Sequence, residues 1–166
     1  MNASSSTLAL APRRQAGFTI IELMFVVAVV AVLALVAMPS FMDSIRKGRR
    51  ADAVAALAQV QQAQERWRSN NTTYTTSLTP LPSATPPGLG LRATSSQDYY
   101  TISIDEATAT GYTTTATAVS GKSQSNDTHC TVMRIRLKNA NFEYGGCAGC
   151  AVPEGTLTDP DRCWSR

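Results

Sequence analysis

Histidine is almost absent from this chain of 166 residues: His129 stands alone, so no second imidazole is available for a proton relay or a multi-histidine metal centre. Charge is thin as well. Charged residues make up 16%, lysine is scarce, and the net charge is +3. Arg13 and Arg14 precede Gly17, and removing them leaves +1 for residues 18–166. A nearly neutral body implies no basic face, and bulk charge gives nucleic-acid binding no support. A phosphate-binding glycine loop is missing too. The Gly88–Gly90 "GLG" follows prolines rather than a strand and opens no helix. Adjacent acids at Asp105 and Glu106 read as a solvated hairpin rather than a general acid–base pair. Trp67 and Trp164 read as packing residues. No catalytic constellation is left, and no cofactor or small-molecule substrate is expected.

What is present begins with a long apolar run. From Leu23 to Met38 sixteen apolar residues follow one another, and no Lys or Arg lies between residues 15 and 45. The length is close to the ~20 residues that span a bilayer core. Positive charge before an apolar run keeps the N-terminus cytoplasmic. "AMPSF" (Ala37–Phe41) is a poor small-x-small cleavage site, so the helix reads as a retained membrane anchor. Glu22 sits at the mouth of the run. A carboxylate at a bilayer centre costs roughly 2.5–3.5 kcal/mol, less near the interface. Its one nearby cationic partner would be a new amino terminus, made by a cut after Gly17.

The stretch Arg13-Arg14-Gln15-Ala16-Gly17 followed by Phe18-Thr19-Ile20-Ile21-Glu22-Leu23, together with the apolar run and Pro39, resembles the class III signal of type IV prepilins. The chain looks most like a PilE-type minor pilin. The resemblance implies a leader at 1–17, cleavage between Gly17 and Phe18, and N-methylation of Phe18. It also implies that Glu22 pairs with the Phe18 amine of a neighbouring subunit. The implied partners are a prepilin peptidase, other pilin subunits, an assembly platform and ATPase, and the inner membrane before assembly. The implied destination is a pilus on the cell surface serving adhesion, twitching motility or DNA uptake. A pseudopilin of a type II secretion system shares the same N-terminus. A signal-anchored periplasmic binding or redox domain is a second alternative, and it predicts no cut after Gly17.

Downstream, the pattern predicts an α+β architecture. Residues 18–69 read as one long helix, with 18–38 as the membrane or filament-core part. Ala53, Leu57, Val60, Gln64 and Trp67 share one face at three- and four-residue steps. Pro39 lacks an N–H for the carbonyl of Leu35, so a kink or local melting is expected there. Residues 70–97 read as a proline- and threonine-rich loop anchored by Tyr74 and Leu78. Residues 98–166 read as an antiparallel sheet with a cysteine-bounded C-terminal region. Strands are expected at Tyr99–Ile104, Gly111–Val119, Cys130–Asn139 and Asn141–Gly146. They form a meander with one face buried under the helix. In β-type alternation Met133, Ile135 and Leu137 point one way, and Arg134, Arg136 and Lys138 the other.

The four cysteines, Cys130, Cys147, Cys150 and Cys163, fall in the last 37 residues. An even, clustered count in an exported chain reads as disulfides, with three connectivities open. A zinc site with His129 has irregular spacing. A thioredoxin-like pair at "CAGC" lacks the helix that should follow it. The pilin resemblance leans to Cys130–Cys163 with Cys147–Cys150, although the family's usual pattern has two cysteines.

Overall fold

The computed structural model describes residues 17–150, 157–160 and 162–164. The expected leader at 1–17 lies outside the described residues except for Gly17. The chain divides into two units, Met1–Pro39 and Ser40–Arg166, and helix α1 (Ile20–Arg68) contributes to both.

In the first unit α1 begins at Ile20, two residues later than the periodicity suggested. Thr19 explains the difference. Its hydroxyl accepts from the Glu22 amide at 3.3 Å and its carbonyl from the Leu23 amide at 3.2 Å, so Thr19 caps the helix. The helical backbone runs unbroken through Pro39, so the local melting expected there is absent. Every residue from Gly17 to Ser44 is exposed. An 18-residue window of this stretch has a mean hydropathy of 3.0 and none of it is buried.

In the second unit the rest of α1 is amphipathic. Ala53, Ala56, Leu57, Val60 and Ala63 pack in one core with Tyr100, Ile102, Ile104, Ala116, Met133 and Ile135. The helix ends at Arg68 because Asn70 and Asn71 follow. The Asn71 side chain donates to the carbonyl of Trp67 at 2.8 Å and competes with further helix. Gln64, placed on the apolar face by spacing, is fully buried and grips the next loop. Its amide donates to the Thr75 carbonyl at 2.6 Å and accepts from the Thr75 amide at 3.2 Å. Buried Leu78 and Leu89 pin the proline-rich loop from beneath.

Four strands follow: β1 (Tyr100–Ala107), β2 (Gly111–Ala118), β3 (Val132–Lys138) and β4 (Asn141–Cys147). They form an antiparallel sheet in the order β1-β2-β3-β4, a meander as expected. A short 3-10 helix at Ser123–Asn126 in the β2–β3 connection was not anticipated. The β3–β4 turn is carried by Asn139 (φ 50) and Ala140 (φ 64), the two-residue left-handed geometry that suits strand twist.

One expectation is corrected. The meander was read as having one buried face, yet Arg134 and Arg136 on the far side of β3 are buried too. The cause is a hydroxyl ladder on β2. Arg134 Nε donates to Thr115 Oγ1 at 3.2 Å, and Arg136 Nε donates to Thr113 Oγ1 at 3.3 Å. The long side chains lie across the threonines and shield each other's aliphatic stems. Lys138, beyond the ladder, is exposed as expected.

The C-terminal segment docks on β4. The Gly146 amide donates to Thr158 O at 3.1 Å, and Trp164 Nε1 donates to Gly145 O at 2.8 Å. A Cβ on Gly146 would meet Cys163 Sγ at 2.6 Å, so only glycine allows this approach.

Candidate functional site

Two regions carry the residues that the sequence singled out. The first is the N-terminal segment. Gly17 is exposed and Phe18 is 77% exposed. Among the described residues the Glu22 carboxylate has no hydrogen-bond or ion-pair partner, and its backbone amide alone is engaged, by Thr19. An apolar helix of this kind fits anchoring in the inner membrane.

The second region is the cysteine-bearing end of the sheet. Cys130 is bonded to Cys163, with Cα atoms 5.6 Å apart, and both side chains are buried. Cys147 is bonded to Cys150 across a separation of 3 residues, with Cα atoms 5.8 Å apart. Arg134 reaches that second pair, its Nη1 lying 3.3 Å from Cys150 Sγ and its Nη2 donating to Cys150 O at 2.9 Å. Burial, helped by the neighbouring Arg136 charge, draws the Arg134 pKa below the usual arginine value, against the attraction of Asp105. Among the described residues no cluster of three or more His, Cys, Asp or Glu could hold a metal.

Beside the disulfides lies a polar hub that sequence reasoning missed. Asp127 in the β2–β3 connection is 2% exposed and accepts Arg50 Nε and Nη2 from α1, each at 2.8 Å. It also accepts Gln124 Nε2 at 2.9 Å, the His129 amide at 3.0 Å and the Cys130 amide at 3.1 Å. Burial acts to raise the Asp127 pKa, but the Arg50 hydrogen bonds, the two backbone amides and the Arg50 charge win and hold it below the usual aspartate value. No sequence signal links positions 77 apart.

At the hairpin end of the sheet, an open cleft of about 560 Å³ is lined by Glu106, Thr108, Thr110, Arg136, Lys138 and Asn139. The end of α1 adjoins it through Arg68, which donates to Ala109 O at 3.5 Å in the β1–β2 turn. Two nearby acids are occupied internally, while Glu106, which lines the cleft, is exposed. Glu143 lies 3.7 Å from Arg136, and Asp105 accepts from Ser103 at 2.8 Å and from the Thr115 hydroxyl. Among the described residues Arg68 and Lys138 form no ion pair. The cleft end therefore carries the cations Arg68 and Lys138 beside the exposed acid Glu106.

Comparison with known proteins agrees with the N-terminal reading. Residues 12–38 match the prokaryotic N-terminal methylation motif. No curated protein matches the chain. Residues 39–134, more than half of the chain, match the family described as type IV minor pilin ComP, DNA uptake sequence receptor. With its long N-terminal helix, four-stranded meander and C-terminal disulfides, the chain belongs to the ComP family of type IV minor pilins.

Proposed function

We propose that this chain is a structural, non-catalytic pilus subunit that presents a DNA-binding head on the cell surface. The observation that carries the reading is the match of residues 39–134 to a family described as a DNA uptake sequence receptor. The cleft at the hairpin ends, with Lys138 in its lining and Arg68 adjoining, supports it. Lys138 and Arg68 offer charge, while Thr110 and Asn139 offer neutral donors, a set suited to backbone phosphates. The full chain in detergent, titrated with duplex DNA, is expected to bind with an affinity that falls steeply with salt. Lys138→Ala is expected to weaken binding several-fold and to lower the salt slope by about 1. Binding that ignored both salt and this substitution would remove the cleft from the reading.

Assembly follows from the N-terminal segment. In this proposal the peptidase cuts between Gly17 and Phe18 and methylates the new amine. The subunit waits in the inner membrane, and an assembly ATPase, working through a platform protein, moves it into a filament beside other pilins. Lipid is as apolar as a helix bundle, so hydrophobicity alone gives little drive for that transfer. The Glu22 carboxylate and the Phe18 amine of the next subunit then supply register, since neutralising a charge in an apolar place is specific. Intact-mass measurement on the mature protein is expected to give an N-methyl-Phe18 terminus. Glu22→Ala subunits are expected to be cleaved normally yet to enter filaments poorly. Equal incorporation of the variant would contradict the pairing.

A further inference from the structure

The geometry points to Cys147–Cys150 as a thiol–disulfide exchange site, which a dithiol protein can open and reseal while Cys130–Cys163 stays closed. The two bonds differ in access and in the length of loop each closes. Cys130 and Cys163 are 0% and 3% exposed, whereas Cys150 is exposed and Cys147 half-buried. An attacking thiolate therefore reaches one pair and not the other. The separations are 33 and 3 residues. A disulfide's restraint on the unfolded chain grows with the loop it closes, so the short staple is the weaker one.

Arg134 gives the exposed pair a direction. Its guanidinium nitrogen at 3.3 Å from Cys150 Sγ places positive charge where a thiolate would form. Cations beside a cysteine lower its thiol pKa and make it the better leaving group. Attack accordingly falls on Cys147 Sγ. The incoming thiolate forms a mixed disulfide with Cys147, and the Cys147–Cys150 bond breaks with its electron pair going to Cys150 as thiolate. The second thiol of the reductant then attacks its own sulfur in the mixed disulfide and releases Cys147. The reductant ends as a disulfide, and two electrons and two protons have passed to the cysteine pair.

Opening need not disturb the sheet. Cys147 stays in register opposite Val132 through the β3–β4 ladder, and the Gly149 amide is held by Thr131 Oγ1 at 2.8 Å. Both cysteines also lie beyond residue 134, where the family match ends.

The test uses the full chain in detergent without denaturant. It is equilibrated with increasing amounts of a reduced thioredoxin-type dithiol protein, then alkylated and mapped by mass spectrometry. Cys147 and Cys150 are expected to be labelled at about ten-fold less reductant than Cys130 and Cys163, with the far-ultraviolet circular dichroism unchanged. Arg134→Gln is expected to raise the reductant needed for the first pair several-fold. Arg134→Lys, which keeps the charge, is expected to lie closer to the parent and guards against a folding defect. Simultaneous opening of both pairs, opening accompanied by loss of the dichroism signal, or equal sensitivity of the parent and Arg134→Gln would each overturn the assignment.

Discussion

Asp127→Ala is expected to destabilise the Ser40–Arg166 unit by about 3–5 kcal/mol, the usual cost of removing one partner from a buried ion pair. The effect follows from what stays behind. Arg50 is 7% exposed, and its Nε and Nη2 would lose both carboxylate oxygens. Gln124 and the amides of His129 and Cys130 would lose their acceptor as well. A buried guanidinium cannot shed its proton to escape, so the charge remains uncompensated. Against a total stability of about 5–15 kcal/mol for a small domain, this is a large fraction. Urea titration followed by circular dichroism measures it. Asp127→Asn is expected to lose less, because its amide oxygen still accepts from a backbone N–H. The same group sets an acid limit. Its pKa is lower in the folded state than in the unfolded chain, so the unfolded state binds the proton more tightly. The contribution is fully present above the unfolded value of about 3.9 and is lost as the pH falls through the folded one. In the Asp127→Ala variant that part of the acid sensitivity below about pH 4 should disappear.

The same hub shows where sequence reading runs out. Alternation located β1 and β3 because Tyr100, Ile102 and Ile104, and Met133, Ile135 and Leu137, are spaced by two and face the core. Helical steps placed Gln64 on the apolar face, where it is indeed buried, but periodicity does not reveal that it holds the Thr75 backbone. Arg50 and Asp127 each look like solvated surface in sequence. Only the folded chain brings them together across 77 positions. Arg134 and Arg136 fail for another reason. Alternation sorts residues into two faces but does not say whether the polar face is covered, and here threonine hydroxyls and the Cys150 carbonyl cover it. The cations Arg68 and Lys138 at the hairpin end were hidden by the total charge, because a net sum does not say where on the surface a charge stands.

Replacing Cys130 and Cys163 together by serine is expected to cost roughly 3–4 kcal/mol in the chain-entropy account of a loop of this length. The corresponding Cys147 and Cys150 double variant, closing a far shorter loop, is expected to cost about 2 kcal/mol or less. Thermal unfolding of the two variants under oxidising conditions gives the comparison, and equal costs would contradict it. The larger effect has a second source. Serine hydroxyls at positions 0% and 3% exposed must find partners in a place built for sulfur. The bond also ties the segment carrying Trp164 to the sheet, where its ring meets Tyr144 with centroids 5.1 Å apart. Asp127 and the disulfide restrain the same backbone, since the Cys130 amide donates to Asp127 Oδ1 at 3.1 Å. Their losses should therefore be less than additive. Once the β2–β3 connection is released by either change, the other has less left to hold, so a double-mutant cycle is expected to show a coupling of about 0.5–3 kcal/mol.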